Sequence, residues 1–599
     1  MTVPLDRAGK VAGSVTLRVQ RIRARNATRP PLFVFAAEPG ASTIRTHLDS
    51  GSPPTSLESW FPPDERRRDL VLIDLRGTGG SGALRCDLLQ RGGTSAAAAA
   101  ACAGSLGPAA THYSVGESVA DLDAVRAALG APKIALFGDG FGATVALAYA
   151  RRHPDRVDRM ALQSPRAAGP LDPFFSAGMR AAPAQLRKVC AGRLCARATP
   201  DPVGDFARIG ERLASGPLTG TVVDAAGRRR PASVDPFGVF STLAAGGTDP
   251  FALATLFGEV RNAGAGDPAP LLRAIDWRRS LPALGAAAPT RISAAAAVAQ
   301  VCQSADLPWP AGTAAADRPA RVAQLVAGLP ASTFGPFGRA AALRSDLVET
   351  CGGWPAAGHL PVPDRPLPAV PTLIVAGDLS LTAPPEVAAA VAAEIPGAEL
   401  MVVSDHWESP LFSDPTGCVS GVFNDFLDGG VPDEQCSRGS FLTVRSLKAP
   451  PRSLAELAPL GARGRPGRTF NAVRATLRDG LGALNRTPAI LSGARVVRVG
   501  GLRRGSYRVS LIGRPRVRRL VLRVRGASFV PGVRVSGTVI LARGDMSTGV
   551  RLLVRGAEAA HGWLTLRGET LRGRLGGRKV RGPLTSEYLF DSGGVSNGY

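Results

Sequence analysis

Three glycines fall within five positions, Gly138, Gly140 and Gly142, between a short apolar run, Ile134 to Gly138, and a helical stretch, Phe141 to His153. Glycine is the residue that allows positive φ and close backbone approach, so FGDGFGAT is a tight strand-to-helix turn. The surroundings repeat the same alternation. Strand-like runs stand at Thr16 to Ile22, Leu32 to Ala36, Leu70 to Asp74 and Met160 to Gln163, with a helix from Ser118 to Leu129. Such alternation predicts an α/β fold whose sheet is mostly parallel and covered on both faces. It returns at Thr372 to Ala376 and Leu400 to Val403, before a helix near Val419 to Leu427. The Ala/Pro/Gly-rich stretch between, Arg166 to Arg365, has helical runs at Pro183 to Val189, Phe251 to Asn262 and Arg318 to Leu329. It is expected to form a large helical cap insertion over the sheet's carboxyl edge, where ligands enter such folds.

At 599 residues and 45% apolar content, the chain is about twice the size at which single cores stop growing, so more than one packed unit is expected. No apolar run reaches the roughly 18 residues of a transmembrane segment. The formal charge is +24. From Phe441 onward there are 30 Lys/Arg against 7 Asp/Glu, so the last quarter carries +23 of that total. A Pro/Gly/Arg-rich linker, Lys448 to Gly467, leads to an amphipathic helix, Phe470 to Leu484. Strand-like runs follow at Arg495 to Val499, Tyr507 to Ile512, Arg519 to Val524, Val533 to Leu541, Val550 to Val554 and Trp563 to Arg567. They predict a small antiparallel β domain. Its aromatics are few (Tyr507, Phe529, Trp563, Tyr588), so it lacks the stacking platform of a single-strand nucleic-acid binder. The expected partition is a core of 1–165 and 366–440, a cap of 166–365, a linker and helix of 441–490, and a basic β-rich domain of 491–599. That last surface is either a solvated arginine-rich face or a grip for an anionic polymer or surface.

Eight cysteines, Cys86, Cys102, Cys190, Cys195, Cys302, Cys351, Cys418 and Cys436, fit four disulfides or buried thiols. No CxxC or HExxH spacing occurs, so neither a metal nor a cofactor is expected. Met1 to Leu5 runs into Asp6 and Arg7 without an apolar leader. The expected location is extracellular or the cell envelope with a leader missing from this chain, or else the cytoplasm.

The glycine turn fits two motifs. As G-x-G-x-x-G/A it would hold a pyrophosphate, but two or more strands precede it and the next strand ends in Leu162-Gln163-Ser164 without an acid. As G-x-S-x-G it is a nucleophile elbow whose central residue is Gly140. The surroundings favour the second. Val3 to Arg7, DLRGTGGSGALRC at Asp74 to Cys86, Tyr113 with Val119 to Gly130, His153 to Val157, Cys351 with Trp354-Pro355, and Pro368 to Pro384 resemble the tripeptidyl-aminopeptidase-like branch of the α/β-hydrolases, related to proline iminopeptidases. The resemblance covers roughly residues 1 to 440. It implies the α/β-hydrolase fold and pairing of cysteine neighbours: Cys86 with Cys102, Cys190 with Cys195, Cys302 with Cys351 and Cys418 with Cys436.

The family's acyl transfer needs a serine, a histidine, an orienting acid and oxyanion donors. By resemblance His406 is the retained triad member. Gly140 stands at the serine position and Ser380 at the acid position, within Gly377 to Pro384. The oxyanion parts would be Glu38 and Gly40, in Ala36 to Gly40, together with Phe141. A carboxylate at Glu38 would oppose a developing oxyanion unless it points away or is protonated. Asp139 is expected to turn inward, and Asp405 and Glu408 are further cleft candidates. Removing a triad costs on the order of 10⁶ in kcat. The expected function is therefore a non-catalytic protein that binds a peptide, small molecule or partner in its capped cleft. The alternatives are an active peptidase with an unconventional nucleophile, and a surface protein that grips anionic polymers through its tail.

Overall fold

The computed structural model describes residues 1–48, 61–62, 66–191, 194–247, 250–284, 288–355, 360–414, 416–430, 436, 449–485, 496–512, 519–542, 548–549 and 551–584. Phe441, Lys448, Arg495, Val550 and Tyr588 lie outside them. The chain forms two compact units, residues 1–189 with 286–442, and residues 190–285 with 443–599.

The first unit opens with β1 (Thr2–Pro4) paired to β2 (Ser14–Thr16). Its main sheet takes β3 (Val19–Ile22), β4 (Leu32–Phe35), β5 (Leu70–Ile73), β6 (Ile134–Asp139) and β7 (Val157–Gln163). Strands β8 (Leu218–Val223) and β9 (Arg229–Val234) form a hairpin in the second unit, and β10 (Thr372–Gly377) and β11 (Ala398–Val403) return to the main sheet. The seven-stranded order is β11-β10-β7-β6-β4-β5-β3, parallel except for the edge strand β3. The run from Thr16 to Ile22 is not one strand. Leu17 donates its amide to the Met1 carbonyl, which breaks the run between two different sheets.

Alternation along each strand builds a core on each face. Phe33, Phe35, Leu136 and Ile374 join Val119, Leu122 and Leu147 on one side. Leu32, Val34, Phe137 and Val375 join Val419, Phe423 and Phe426 on the other. Each such burial stabilises by roughly 1.5–3 kcal/mol. The chain passes from β4 outward to β5 and then returns to β6 on β4's other side, so the order reverses between β4 and β6. A crevice opens at the carboxyl ends of such a switch point. The loop Ala36–Gly40 and the turn at Gly140 both leave the sheet there.

The eight cysteines form four disulfides, Cys86–Cys102, Cys190–Cys195, Cys302–Cys351 and Cys418–Cys436. No described helix is long and apolar enough to cross a membrane.

The second unit is an antiparallel sheet of nine strands: β12 (Val496–Gly500), β13 (Arg504–Ile512), β14 (Arg519–Ser528), β15 (Arg534–Ala542), β16 (Thr548–Gly549), β17 (Leu552–Arg555), β18 (Gly562–Arg567), β19 (Thr570–Leu575) and β20 (Arg578–Pro583). The helix Gly464–Asn485 lays Phe470, Val473, Leu477 and Leu481, spaced three and four apart, against the sheet's inner face. Strands β19 and β20 escape sequence reading because TLRGRL and RKVRGP hold few β-branched residues; pairing of β19 with β18, and of β20 with β19, imposes their conformation.

The stretch 190–285 groups with this sheet and not with the remainder of the insertion. Arg503 makes a two-pronged ion pair with Asp267 at 2.9 and 2.6 Å, and Arg273 meets Asp479 at 2.8 Å. Long-range ion pairs of this kind leave no local pattern, so a linear reading of composition draws one cap where the fold makes two parts.

Candidate functional site at the carboxyl edge of the main sheet

Strand register brings the ends of β4, β6, β7 and β10 to one edge: Phe35 lies opposite Gly138, Asp139 opposite Gln163, and Gln163 opposite Val375. Gly140 leaves β6 with φ 52° and ψ −112°, the strained positive-φ conformation in which an elbow holds its central residue. Its neighbours need to be glycine for lack of space. A Cβ at Gly138 would sit 2.5 Å from the Ala143 nitrogen, and one at Gly142 would sit 2.9 Å from the Ala36 oxygen. The strained turn of an elbow is therefore intact around a residue without a side chain.

The amides around the turn already have acceptors. Phe141 donates to the Ala37 carbonyl at 2.9 Å, and Gly40 donates to Gln300 Oε1 at 2.7 Å. An oxyanion hole needs such donors aimed at open space. The Glu38 carboxylate points outward, 64% exposed, with Arg166 Nη2 at 3.7 Å. Arg166 also approaches the turn: a Cβ on Gly140 would meet its guanidinium at 3.6 Å and the Ala37 oxygen at 3.0 Å. Nothing in the sequence singles out Arg166, which simply follows the end of β7.

His406 is wholly buried. Its Nδ1 lies 2.7 Å from the Ser404 carbonyl. A carbonyl only accepts, so Nδ1 carries the proton. Ser380 is buried too, and its Oγ accepts the Ala383 amide at 3.0 Å ahead of the helix Pro385–Ala393. The Ser380 carbonyl accepts from the Gln185 side-chain amide, and Asp378 pairs with Lys188, both partners coming from the helix Ser176–Val189. Asp405 adopts φ 59° and donates its amide to Asp378 Oδ1 at 2.7 Å. Ser164, also at positive φ, directs its hydroxyl to the Glu408 carbonyl. The structure thus gathers Gly140, Asp139, Ser164, Ser380, Asp405, His406 and Glu408 along one sheet edge.

Two carboxyls stand out. Burial pushes Asp139 up to about 7, with Glu38 adding to the rise and Arg166 and the Ser409 hydroxyl opposing it. Burial likewise raises Glu408, whose Oε1 accepts from Thr382 at 3.1 Å. An unfolded aspartate releases its proton near ~4. Between that pH and about 7 the folded chain keeps the Asp139 proton while the unfolded chain loses it, so stability falls as pH rises. Three units correspond to roughly 4 kcal/mol, fully lost above pH 7. Asp139→Asn should flatten this slope. Urea unfolding from pH 4 to 8 is expected to show the variant matching wild type at low pH and exceeding it at pH 8. An unchanged slope would refute the assignment.

A second acidic group lies elsewhere in this unit: ligand atoms of Asp6, His112 and Glu117 stand within 4.8 Å of one another. Asp6 accepts the amides of Ala8, Lys10 and Val11, and Glu117 pairs with Arg7. These partners already account for the carboxylates.

Residues 46–189 match the alpha/beta hydrolase fold family, and residues 336–437 match the TAP-like protein family. The chain carries an α/β-hydrolase domain of the TAP-like branch. The first match contains Gly140, and the second contains Ser380 and His406. Among solved structures, this α/β-hydrolase chain is similar to the proline iminopeptidase of Mycobacterium smegmatis, at 16% identity and TM-score 0.32, over 72% of this chain and 97% of that one. It is also similar to an esterase from Thermogutta terrifontis, at 16% identity and TM-score 0.30, over 72% and 98%. A third is the enol-lactonase from Burkholderia xenovorans, at 15% identity and TM-score 0.28, over 69% and 97%. No curated protein matches the chain.

Proposed function

We propose that this α/β-hydrolase domain is catalytically silent and serves as an extracellular binding scaffold for a peptide or protein partner. One observation carries the reading: the turn after β6 keeps its strained backbone at Gly140, while the following amide, Phe141, is bonded to Ala37. Attack on a carbonyl needs a side chain at that apex and a free donor beside it. The buried Nδ1 of His406 lies 2.7 Å from its own backbone, at the Ser404 carbonyl, and Ser380 stands at the family's acid position, which supports the same reading. Four disulfides support the oxidising location. The test is hydrolysis of aminoacyl and tripeptidyl arylamides by wild type and His406→Ala. Both are expected at the buffer rate. A wild-type rate that His406→Ala abolishes would overturn the proposal.

One feature favours a second reading, a working hydrolase with a different proton relay. Asp139 and Glu408 are buried carboxyls with raised proton affinity at the sheet's carboxyl edge, a common signature of acid–base sites. On that reading arylamide turnover would vanish in Asp139→Asn.

A further inference from the structure

The charges on the outer face of the nine-stranded sheet are arranged in rows. Arg498 lies directly opposite Arg508, and Arg508 directly opposite Arg523, across three neighbouring strands. Arg534 faces Arg555 in the same way, and Arg572 faces Arg581. Like charges placed directly opposite destabilise a sheet. Elsewhere in this unit the fold supplies carboxylates to its arginines, Asp267 to Arg503 and Asp479 to Arg273. On the outer face no Asp or Glu occupies an outward strand position among the described residues. Arg508, flanked by arginine on both sides, has its Nε shut off from solvent with no hydrogen-bond partner among the described residues.

A hollow of about 880 Å³ opens on the same side, lined by Arg465, Arg534, Arg555, Ser536 and His561. Arg465 is fixed there by bonds from Nε to the Glu558 carbonyl and from Nη2 to the Ala557 carbonyl, both 2.7 Å. Arg465 is thus held in place by backbone carbonyls, and among the described residues no carboxylate pairs with it, Arg534 or Arg555.

We propose that this face docks a linear acidic polysaccharide outside the cell. The rows step from strand to strand at about 4.8 Å, a spacing that a polymer with one carboxylate per sugar residue can follow. Single-stranded nucleic acid would need stacking aromatics. Trp563 is the one outward strand aromatic among the described residues, and the Arg551 guanidinium covers its ring at 4.5 Å. A lipid surface would need a contiguous apolar patch for insertion, whereas the exposed Val496, Ile512 and Leu553 are set among arginines. The four disulfides favour a compartment in which glycans, and not nucleic acids, are the abundant polyanions.

The test uses the full chain and polygalacturonate as probe, measured at low salt and across a salt series. Wild type is expected to bind, with affinity falling steeply as salt rises. Changing Arg508, Arg523, Arg534 and Arg555 together to serine is expected to weaken binding about 30-fold and to leave Tm unchanged or higher. A control with Arg85, Arg180, Arg291 and Arg321 changed to serine removes the same charge from exposed positions of the other unit and should bind nearly as wild type. The proposal fails if wild type ignores polygalacturonate at low salt, or if the two variants bind alike. It also fails if the first variant loses Tm relative to the control, or if only duplex DNA or phosphatidylglycerol vesicles are bound.

Discussion

Adding the missing hydroxyl, as Gly140→Ser, is expected to restore no hydrolysis and to destabilise the first unit. The backbone at φ 52°, ψ −112° resists any side chain by about 1–3 kcal/mol. The new Cβ would also press on the Ala37 oxygen at 3.0 Å. Even a correctly placed Oγ would find the Phe141 amide bonded to that same oxygen, and Ser380 where an acid would have to stand. Loss of a triad costs on the order of 10⁶ in kcat, so one restored member leaves arylamide turnover at background. Gly140→Ser combined with Ser380→Asp tests the next step and should remain silent while the Phe141 amide is occupied. Measurable turnover by the single variant would show that the missing serine was the sole defect.

Arg76→Ala is expected to destabilise the first unit by about 3–5 kcal/mol, the range for breaking a buried ion pair. Arg76 is fully buried. Its Nε and Nη2 meet the two carboxylate oxygens of Asp121 at 2.7 Å each, and Nη1 donates to the carbonyls of Leu5 and His112 at 2.9 and 2.8 Å. Removing the guanidinium leaves Asp121 buried beside one remaining cation, Arg7. Arg76→Lys should recover little, because a single ammonium cannot reproduce the planar fork. Urea unfolding measures the change, and a loss below about 1 kcal/mol would contradict the structural role assigned to Arg76.

That arginine explains why so much of the fold is legible in the sequence. DLRGTGGSG describes a scaffold: Asp74 accepts from Ser42, Ile44 and Gly80, and Arg76 ties the end of β1, at the Pro4 carbonyl, and the helix Val115–Ala128 to the loop after β5. Glycines at 138 and 142 are likewise demanded by packing. Such residues mark the turns and close approaches that a sequence shows directly. The state of the site was less legible. That Gly140 lacks a side chain is plain in the sequence, but the closure of the neighbouring donors is not. The bonds from Phe141 to Ala37 and from Gly40 to Gln300 depend on residues up to 260 positions apart. The grouping of 190–285 with the tail is hidden for the same reason, since single ion pairs join segments that composition assigns to different parts.

Reaction of the intact protein with a fluorophosphonate, followed by peptide mass mapping, tests catalytic silence most directly. No adduct is expected on any serine or threonine at the sheet's carboxyl edge, Ser164 and Ser380 included. A stoichiometric adduct there, lost in His406→Ala, would contradict it.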